Sequence, residues 1–203
     1  MIDNYLLYLG YITNKIQKYF DEQKEYIRCS KGCSKCCEHA QFPYSEIEFK
    51  LILEGLKSLG LEVQKTVVEN INQIVKDRAE FLKSSSEEPF RYQCPFLVNN
   101  ECSVYYYRGL VCRTFGLMTF ISDSPKTPRI PFCAYEGLNF SEVLDKEQNN
   151  ISDEKFAQLG FKEEPKAYNI DYSTLINEEI AEGFGFRFGK VKPLIDWFIS
   201  NNS

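Results

Sequence analysis

Apolar side chains recur at three- and four-residue steps along the start of the chain, which is the period of an amphipathic helix. The positions in this pattern are Tyr5, Leu6, Leu9, Ile12, Ile16 and Phe20. The pattern predicts one long N-terminal helix over residues 2–28. The first cysteine of the chain, Cys29, follows directly after it.

Two further helices are predicted in the next part of the chain. Ser45, with Glu48 three residues later, matches a capping box and predicts a helix over 46–60. The apolar repeat that follows predicts a helix over 61–83. The serine-rich run 84–89, which ends in a proline, predicts a linker.

The second half of the chain predicts shorter elements. Asn99-Asn100 lies between two short apolar runs and predicts a tight hairpin that brings Cys94 and Cys102 together. The remaining expectations are a short helix over 105–110, a strand over 117–121, a proline-rich irregular segment over 123–131 and a last helix over 193–200 that begins at Pro193.

Composition is consistent with one globular domain. The chain has 203 residues, of which 43% are hydrophobic, and this is enough for a full-sized core. Lys and Arg number 24 against 29 Asp and Glu, so the net charge is −5, and no strongly basic region points to a nucleic-acid partner. No signal peptide or membrane span is visible in the sequence. We therefore expect a cytoplasmic protein with no membrane partner.

Half of the cysteines lie within one nine-residue run, in the spacing CxxxCxxCC. The run contains Cys29, Cys33, Cys36 and Cys37, and the other four are Cys94, Cys102, Cys112 and Cys133. Disulfides are rare in a reducing cytosol, so clustered thiols favour a bound metal. All eight are candidate ligands of Zn²⁺ or of an iron–sulfur cluster such as [4Fe–4S], and the spacing alone fits both. Two zinc ions, or one cluster with spare thiols, would both account for eight sulfurs.

The adjacent pair Cys36-Cys37 is unusual for a ligand set. Neighbouring side chains of an extended backbone point in opposite directions. One of the two is therefore expected to coordinate a first metal, while the other serves a second metal or packs nearby. An antiparallel helix pair separates the two cysteine blocks and is expected to bring both to one site.

Three residues near Cys112 are candidates for binding the cofactor. The guanidinium groups of Arg108 and Arg113 could offset the negative charge of a thiolate centre or bind an anionic substrate. Tyr105 begins an aromatic run, although most such runs pack in a core or at its rim. His39, the only histidine, is more typical of a loop residue than of a ligand when so many thiols lie nearby.

The order of these motifs resembles the YkgJ-type cysteine-cluster proteins, also called the CxxCxxCC family, which are regarded as zinc- or iron-chelating domains. The matching elements are the run Cys29–Cys37, Cys94-Pro-Phe-Leu, Cys102-Ser-Val-Tyr, Arg108 and Cys112-Arg113-Thr-Phe-Gly, within about residues 29–133. Three residues rather than two separate the first two cysteines, which makes Cys29 a weaker candidate than Cys33. Gly109 stands where the family often has proline.

The helices predicted from the apolar pattern indicate a mainly α protein. We expect a single domain over 1–203, with short hairpins and irregular knuckles around a cysteine-ligated metal centre. Its parts are an N-terminal helix over 2–28, a metal-binding core over about 29–133 and a C-terminal helical extension over about 140–203.

The resemblance also implies a metal-binding protein whose reaction is unassigned. One branch resembles the flagellin lysine N-methylases, which favours an iron–sulfur cluster and an alternative function as an S-adenosylmethionine-dependent protein methylase with a protein substrate. The segment 183–189 lacks the setting of a nucleotide fingerprint and is interpreted as a turn. A metal carrier or sensor is a further alternative. Whether the protein is an enzyme, which residues would be catalytic and what its oligomeric state is are left open.

Overall fold

Helices account for most of the regular structure. The computed structural model describes residues 1–30, 32–39, 41–84, 89–121 and 124–201. The α-helices are α1 (Ile2–Glu22), α2 (Lys35–Glu38), α3 (Glu46–Lys57), α4 (Leu61–Phe81), α5 (Leu110–Thr114), α6 (Asp153–Leu159), α7 (Tyr172–Leu175), α8 (Glu178–Gly183) and α9 (Leu194–Asn201). The predicted mainly α class is confirmed. Residues 85–88 of the predicted linker lie outside the described residues.

The strands are short and form small separate sheets. They are β1 (Pro43–Ser45), β2 (Leu97–Val98), β3 (Glu101–Cys102), β4 (Met118–Ile121), β5 (Ser124–Arg129), β6 (Leu144–Asp145), β7 (Asn150–Ile151), β8 (Ala167–Tyr168) and β9 (Val191–Pro193). The strand orders are β1-β9, β2-β3, β5-β4-β8 and β6-β7. Within the described ranges, no helix has the length and apolar character needed to cross a membrane.

The chain divides into two compact units. The first comprises Asp3–Lys31 and Leu110–Phe186, and the second comprises Gly32–Gly109 and Arg187–Ser203. Each unit is therefore built from segments that are distant in sequence. The division of the chain into a single domain with a core over 29–133 and a C-terminal extension stays a prediction.

The first helix of the first unit ends earlier than its apolar pattern predicts. It stops at Glu22, and a 3₁₀ turn over Lys24–Tyr26 follows. Gln23 lies at the break and is fully buried, with its side-chain oxygen accepting the backbone N–H of Lys166 at 2.8 Å. A buried amide without a partner is costly, so this long-range hydrogen bond favours the end of the helix there. The predicted helix over 2–28 is therefore wrong in its last six residues.

The core of the first unit includes Tyr26, the last residue of this turn. Its buried members are Tyr26, Met118, Ile130, Ala134, Phe140, Val143 and Leu144. The ring of Tyr26 stacks on that of Phe140 at 5.4 Å, and its burial is the main reason that the pKa of Tyr26 rises to about 12. The phenol therefore stays neutral and donates a hydrogen bond to the backbone carbonyl of Glu163.

The prediction of an irregular segment over 123–131 is wrong for residues 124–129. Strand β5 pairs with β4 in antiparallel register, with Thr119 opposite Arg129 and Phe120 opposite Pro128. β5 is an outer strand of its sheet, because β4 lies between β5 and β8. Proline cannot donate a backbone hydrogen bond, but an outer strand has one side on which no donor is needed. Strand β4 itself confirms the strand that was predicted over 117–121.

The second unit packs α3 and α4 against α9. Ser45 and Glu48 form the predicted capping box, with the Ser45 N–H donating to the Glu48 carboxylate at 2.9 Å. Phe49 on α3 stacks on Trp197 of α9 at 5.3 Å, and Arg78 of α4 forms an ion pair with Asp196. The predicted helices over 46–60 and 61–83 are confirmed within a few residues.

The last helix begins one residue later than predicted. Pro193 is the final residue of β9, where it pairs with Pro43 of β1. The helix itself starts at Leu194, whose N–H donates to the carbonyl of Phe42 at 2.9 Å. Strand pairing with β1 therefore takes precedence over the preference of proline for a first helical position.

Two glycines inside helices should respond in opposite ways to alanine. A Cβ at Gly55 of α3 would lie 2.6 Å from Cγ of Tyr107, whereas a Cβ at Gly10 of α1 would meet nothing within 4 Å. We expect Gly55→Ala to destabilise the protein by about 1–3 kcal/mol through overpacking. Gly10→Ala is the control and should stabilise it by about 0.5–1 kcal/mol. Urea denaturation measures both changes, and a stabilised Gly55→Ala variant would contradict the packing described here.

Candidate metal centre

The cysteines are divided between the two units. The second unit contains Cys33, Cys36, Cys37, Cys94 and Cys102, and the first contains Cys29, Cys112 and Cys133. All eight are thiols rather than halves of disulfides. The larger set is therefore the five cysteines of the second unit.

Cys36 and Cys37 share one helical turn. Gly32, with a φ of +93°, precedes this turn, and α2 begins after Ser34. The N–H of Cys37 donates to the carbonyl of Ser34 at 2.7 Å, which closes the turn. The two sulfur atoms are 3.9 Å apart. The expectation that these side chains point in opposite directions is wrong, because their backbone is helical rather than extended.

The predicted hairpin around Asn99 and Asn100 is confirmed. Both residues have positive φ values, 52° and 63°, as a type I′ turn requires. Its register pairs Cys102 with Leu97. The N–H of Cys94 donates to the carbonyl of Cys37 at 2.7 Å, so the second cysteine block is joined to α2 by a backbone hydrogen bond. Sequence spacing could predict the hairpin but not this link.

The thiols in this group influence one another's ionisation. The pKa of Cys36 is raised, first by its hydrogen bond with Cys37 and then by burial and by the charge of Cys37, and Arg108 opposes the rise. Burial is the main cause of the raised pKa of Cys102, with a further contribution from Cys36, and Arg108 again opposes it. Without a cation these thiols resist joint ionisation. A metal that replaces their protons would relieve this cost.

The positive charge of Arg108 opposes the raised pKa at both Cys36 and Cys102. Its guanidinium carbon lies 3.8 Å from the centre of the Tyr105 ring, so the two predicted cofactor-binding residues of the second unit stack on each other. The expected helix over 105–110 is a 3₁₀ turn over Tyr105–Tyr107, and Tyr105 and Tyr106 are exposed.

The predicted site residues of the first unit lie on three segments. Helix α5 carries Cys112 and Arg113, and the Arg113 guanidinium donates to the Thr13 hydroxyl at 3.3 Å. Cys29 is exposed and Cys133 is buried. The ligand role of these three cysteines, and a cofactor-binding role for Arg113, stay predictions.

Asn139 is a buried residue of the first unit that sequence reasoning missed. Its side-chain oxygen accepts the N–H groups of Arg28 and Cys29, both at 2.8 Å, and its side-chain nitrogen donates to the carbonyl of Gly116 at 2.9 Å. The side chain thus fixes the backbone at Cys29 and just beyond α5. An asparagine in a polar tail gives no sequence signal for such a role.

The donor set fits a soft or borderline metal. Thiolates are preferred ligands of zinc and of iron–sulfur clusters. Over the part of the chain that the structure describes, no three histidine, cysteine, aspartate or glutamate side chains are already arranged as a complete ligand group. His39 lies at the C-terminal end of α2. The thiols are therefore the side chains that suit such a metal.

Fold and cysteine arrangement define a mainly α protein with a thiol-rich centre. The family model for CxxCxxCC, described as "Putative zinc- or iron-chelating domain", matches residues 28–136, and the chain belongs to this family. No curated protein and no solved structure matches the chain. The family description agrees with the predicted zinc or iron cofactor and with a metal as binding partner. The resemblance to flagellin lysine N-methylases stays a prediction.

Proposed function

We propose that the second unit binds a single zinc ion through Cys36, Cys37 and Cys102, with Cys33 or Cys94 as the fourth ligand. The 3.9 Å separation of the Cys36 and Cys37 sulfurs is the observation that carries this proposal. Two thiolates that each lie about 2.3 Å from one tetrahedral zinc ion are about 3.8 Å apart. The pair therefore fits adjacent corners of one tetrahedron without rearrangement.

The same distance argues against a [4Fe–4S] cluster on this pair. In that cluster each iron takes one cysteine, so the two sulfurs would serve different irons and would have to lie further apart. A disulfide between them is also unfavourable, because adjacent Cα atoms are about 3.8 Å apart, below the usual range of about 4.4–6.8 Å. Metal binding uses the observed separation of this pair, and oxidation would strain it.

Arg108 is proposed to stabilise the loaded site. Four thiolates on one zinc ion carry a net charge of −2, and the positive charge of Arg108 would offset part of it. Its attraction to both sulfurs supports this role. Tyr105 contributes by stacking on the guanidinium group.

The exposure of the site supports metal delivery or sensing as its use. Cys33, Cys36, Cys37 and Cys102 are only partly buried. A closed structural site would shield its ligands, whereas a carrier or sensor needs ligands that a partner or chelator can reach. Exchange of zinc with a chromophoric chelator tests this point, and release within minutes is the expected result. Zinc that stayed bound for days against an excess of chelator would indicate a structural site.

Elemental analysis of anaerobically purified protein tests the choice of metal. We expect colourless protein with stoichiometric zinc, because the sulfur geometry suits one tetrahedral ion. Replacement by Co²⁺ should produce the intense thiolate charge-transfer absorption of a cysteine-rich tetrahedral site. Brown protein that contains iron and acid-labile sulfide would contradict the zinc proposal and support the iron–sulfur alternative.

A further inference from the structure

Helix α4 of the second unit carries a row of aliphatic side chains on its solvent side. They recur at every seventh position, which places them along one side of a helix. Leu61 is 81% exposed, Val68 46% and Leu82, at the end of the helix, 72%, while Val75 between them is partly buried. At a rise of about 1.5 Å per residue this aliphatic row is about 30 Å long. Exposed apolar patches with a polar rim are typical of interaction surfaces.

A charged residue follows each member of the aliphatic row. The four are Glu62, Glu69, Lys76 and Lys83, and all of them are exposed. The negative charges therefore lie in the N-terminal half of the row and the positive charges in its C-terminal half. None of the four forms an ion pair with another residue of the described part of the chain. Their charges are thus available to a partner.

The aliphatic row is self-complementary when two copies of α4 lie antiparallel. If Leu61 is level with Leu82 of the partner copy, Val68 is level with the partner copy's Val75, because both pairs have the same midpoint along the helix. Two-fold symmetry repeats each of these contacts, as in an isologous interface. The row of one copy can therefore be covered by the same row of the other.

The same arrangement brings opposite charges together. Glu69 lies two residues, or about 3 Å at a rise of about 1.5 Å per residue, from the level of the partner copy's Lys76. Glu62 has the same offset from the partner copy's Lys83. Charges that match across an interface select one orientation. A parallel pairing would instead place glutamate against glutamate and lysine against lysine.

A cavity beside Leu82 fits the partner copy's Leu61. It has a volume of about 520 Å³ and lies between α4 and α9, with apolar walls formed by Val75, Ala79, Leu82 and Ile199. In the antiparallel arrangement the partner copy's Leu61 is level with Leu82 and thus reaches this cavity. Leu61 is also the most exposed member of the aliphatic row. Its transfer into the cavity would remove the most apolar surface from water.

We propose that this face of α4 is the contact surface of a reversible homodimer, in which two copies lie antiparallel and each inserts Leu61 into the α4–α9 cavity of the other. A strip about 30 Å long and about 10 Å wide covers about 300 Å² per copy, well below the about 800 Å² of a standard interface. The exposed polar residues Lys65 and Asn72 lie between members of the aliphatic row. The dimer is therefore weak and depends on protein concentration. It does not depend on the proposed zinc site.

Sedimentation equilibrium of the full chain, from micromolar to millimolar concentration, tests the apolar part of this contact. We expect the mass of the wild-type protein to rise from monomer towards dimer. Leu61→Ala should weaken dimerisation by about tenfold or more, because two copies of a buried leucine are lost. Since Leu61 is exposed in the monomer, the variant should keep its melting temperature at low concentration. Leu159→Ala is the control, because Leu159 is an exposed leucine of the first unit, and it should dimerise as the wild type does.

Charge exchange tests the antiparallel orientation. Glu69→Lys and Lys76→Glu should each weaken dimerisation by about 3–10-fold, because each places like charges together. The double variant should dimerise as the wild type does, and an equimolar mixture of the two single variants should form a mixed dimer. Asp77→Lys makes the same change of charge as Glu69→Lys but lies about 100° further round the helix than Lys76, and it should have little effect.

Three results would overturn the inference. They are a wild-type protein that stays monomeric over the whole concentration range, a dimer that Leu61→Ala leaves unchanged, and a double charge variant that dimerises no better than the single variants. Each of them would leave the zinc proposal untouched, because zinc content is measured separately.

Discussion

Replacement of Cys36, Cys37 or Cys102 by serine is expected to remove zinc from the purified protein. Loss of an outer contact costs metal affinity about 10–100-fold, and loss of a ligand should cost more. Metal content by elemental analysis, and affinity by competition titration, measure the effect.

The same variants should lose the stabilisation that zinc provides. A ligand that binds only the folded state stabilises it by RT ln(1 + [L]/Kd), so weaker binding lowers the melting temperature at a fixed zinc concentration. A chelator should lower the melting temperature of the wild-type protein and have little effect on the variants. This comparison distinguishes loss of the metal from general damage to the fold.

Lys35→Ala is the matched control for these variants. Lys35 lies on the same helical turn and forms an exposed ion pair with Glu38 at 3.0 Å. Such pairs contribute about 0–1 kcal/mol, so the control should retain its zinc and nearly all of its stability. If Cys36→Ser or Cys37→Ser kept full metal content, the proposed ligand set would be wrong. Serine variants of Cys29, Cys112 and Cys133 would show whether the predicted ligands of the first unit also take part.

Features that depend on neighbouring residues were predictable from the sequence. The capping box needs only Ser45 and Glu48, three positions apart, and both bond as expected. The hairpin needs two residues that tolerate positive φ, and Asn99 and Asn100 supply them. The amphipathic pattern also placed α3 and α4, because periodicity is a property of the helix itself.

Features that depend on distant residues were not predictable. The first helix ends at Gln23, whose side chain bonds to Lys166, more than a hundred residues away. Pro128 can lie in a strand because β5 is at the edge of its sheet and pairs only with β4. The separation of the Cys36 and Cys37 sulfurs could not be derived from CxxxCxxCC spacing, since that spacing does not specify whether the backbone is helical or extended. The thiol content of the site was evident from the sequence, but its geometry was not.

Asn139→Ala is expected to destabilise the protein by about 3 kcal/mol. The side chain is fully buried and satisfies the N–H groups of Arg28 and Cys29 and the carbonyl of Gly116. Alanine would leave these backbone groups without that partner, and each unsatisfied buried group costs about 1–3 kcal/mol. Partial relaxation and entry of water keep the total below the simple sum. Urea denaturation in the presence of excess chelator measures the change without a contribution from bound metal.

Gly116→Ala should also disturb the hydrogen bonds of the Asn139 side chain. Gly116 has a φ of +96°, and a Cβ there would lie 2.5 Å from the Asn139 side-chain nitrogen. Alanine would therefore be strained at this position and would push the amide away from its partners. Asn150→Ala is the control, because Asn150 is exposed and its side chain donates a long hydrogen bond to Gln148, at 3.3 Å. A loss below about 0.5 kcal/mol for Asn139→Ala, which is the usual range for a surface substitution, would mean that Asn139 does not fix the backbone around Cys29.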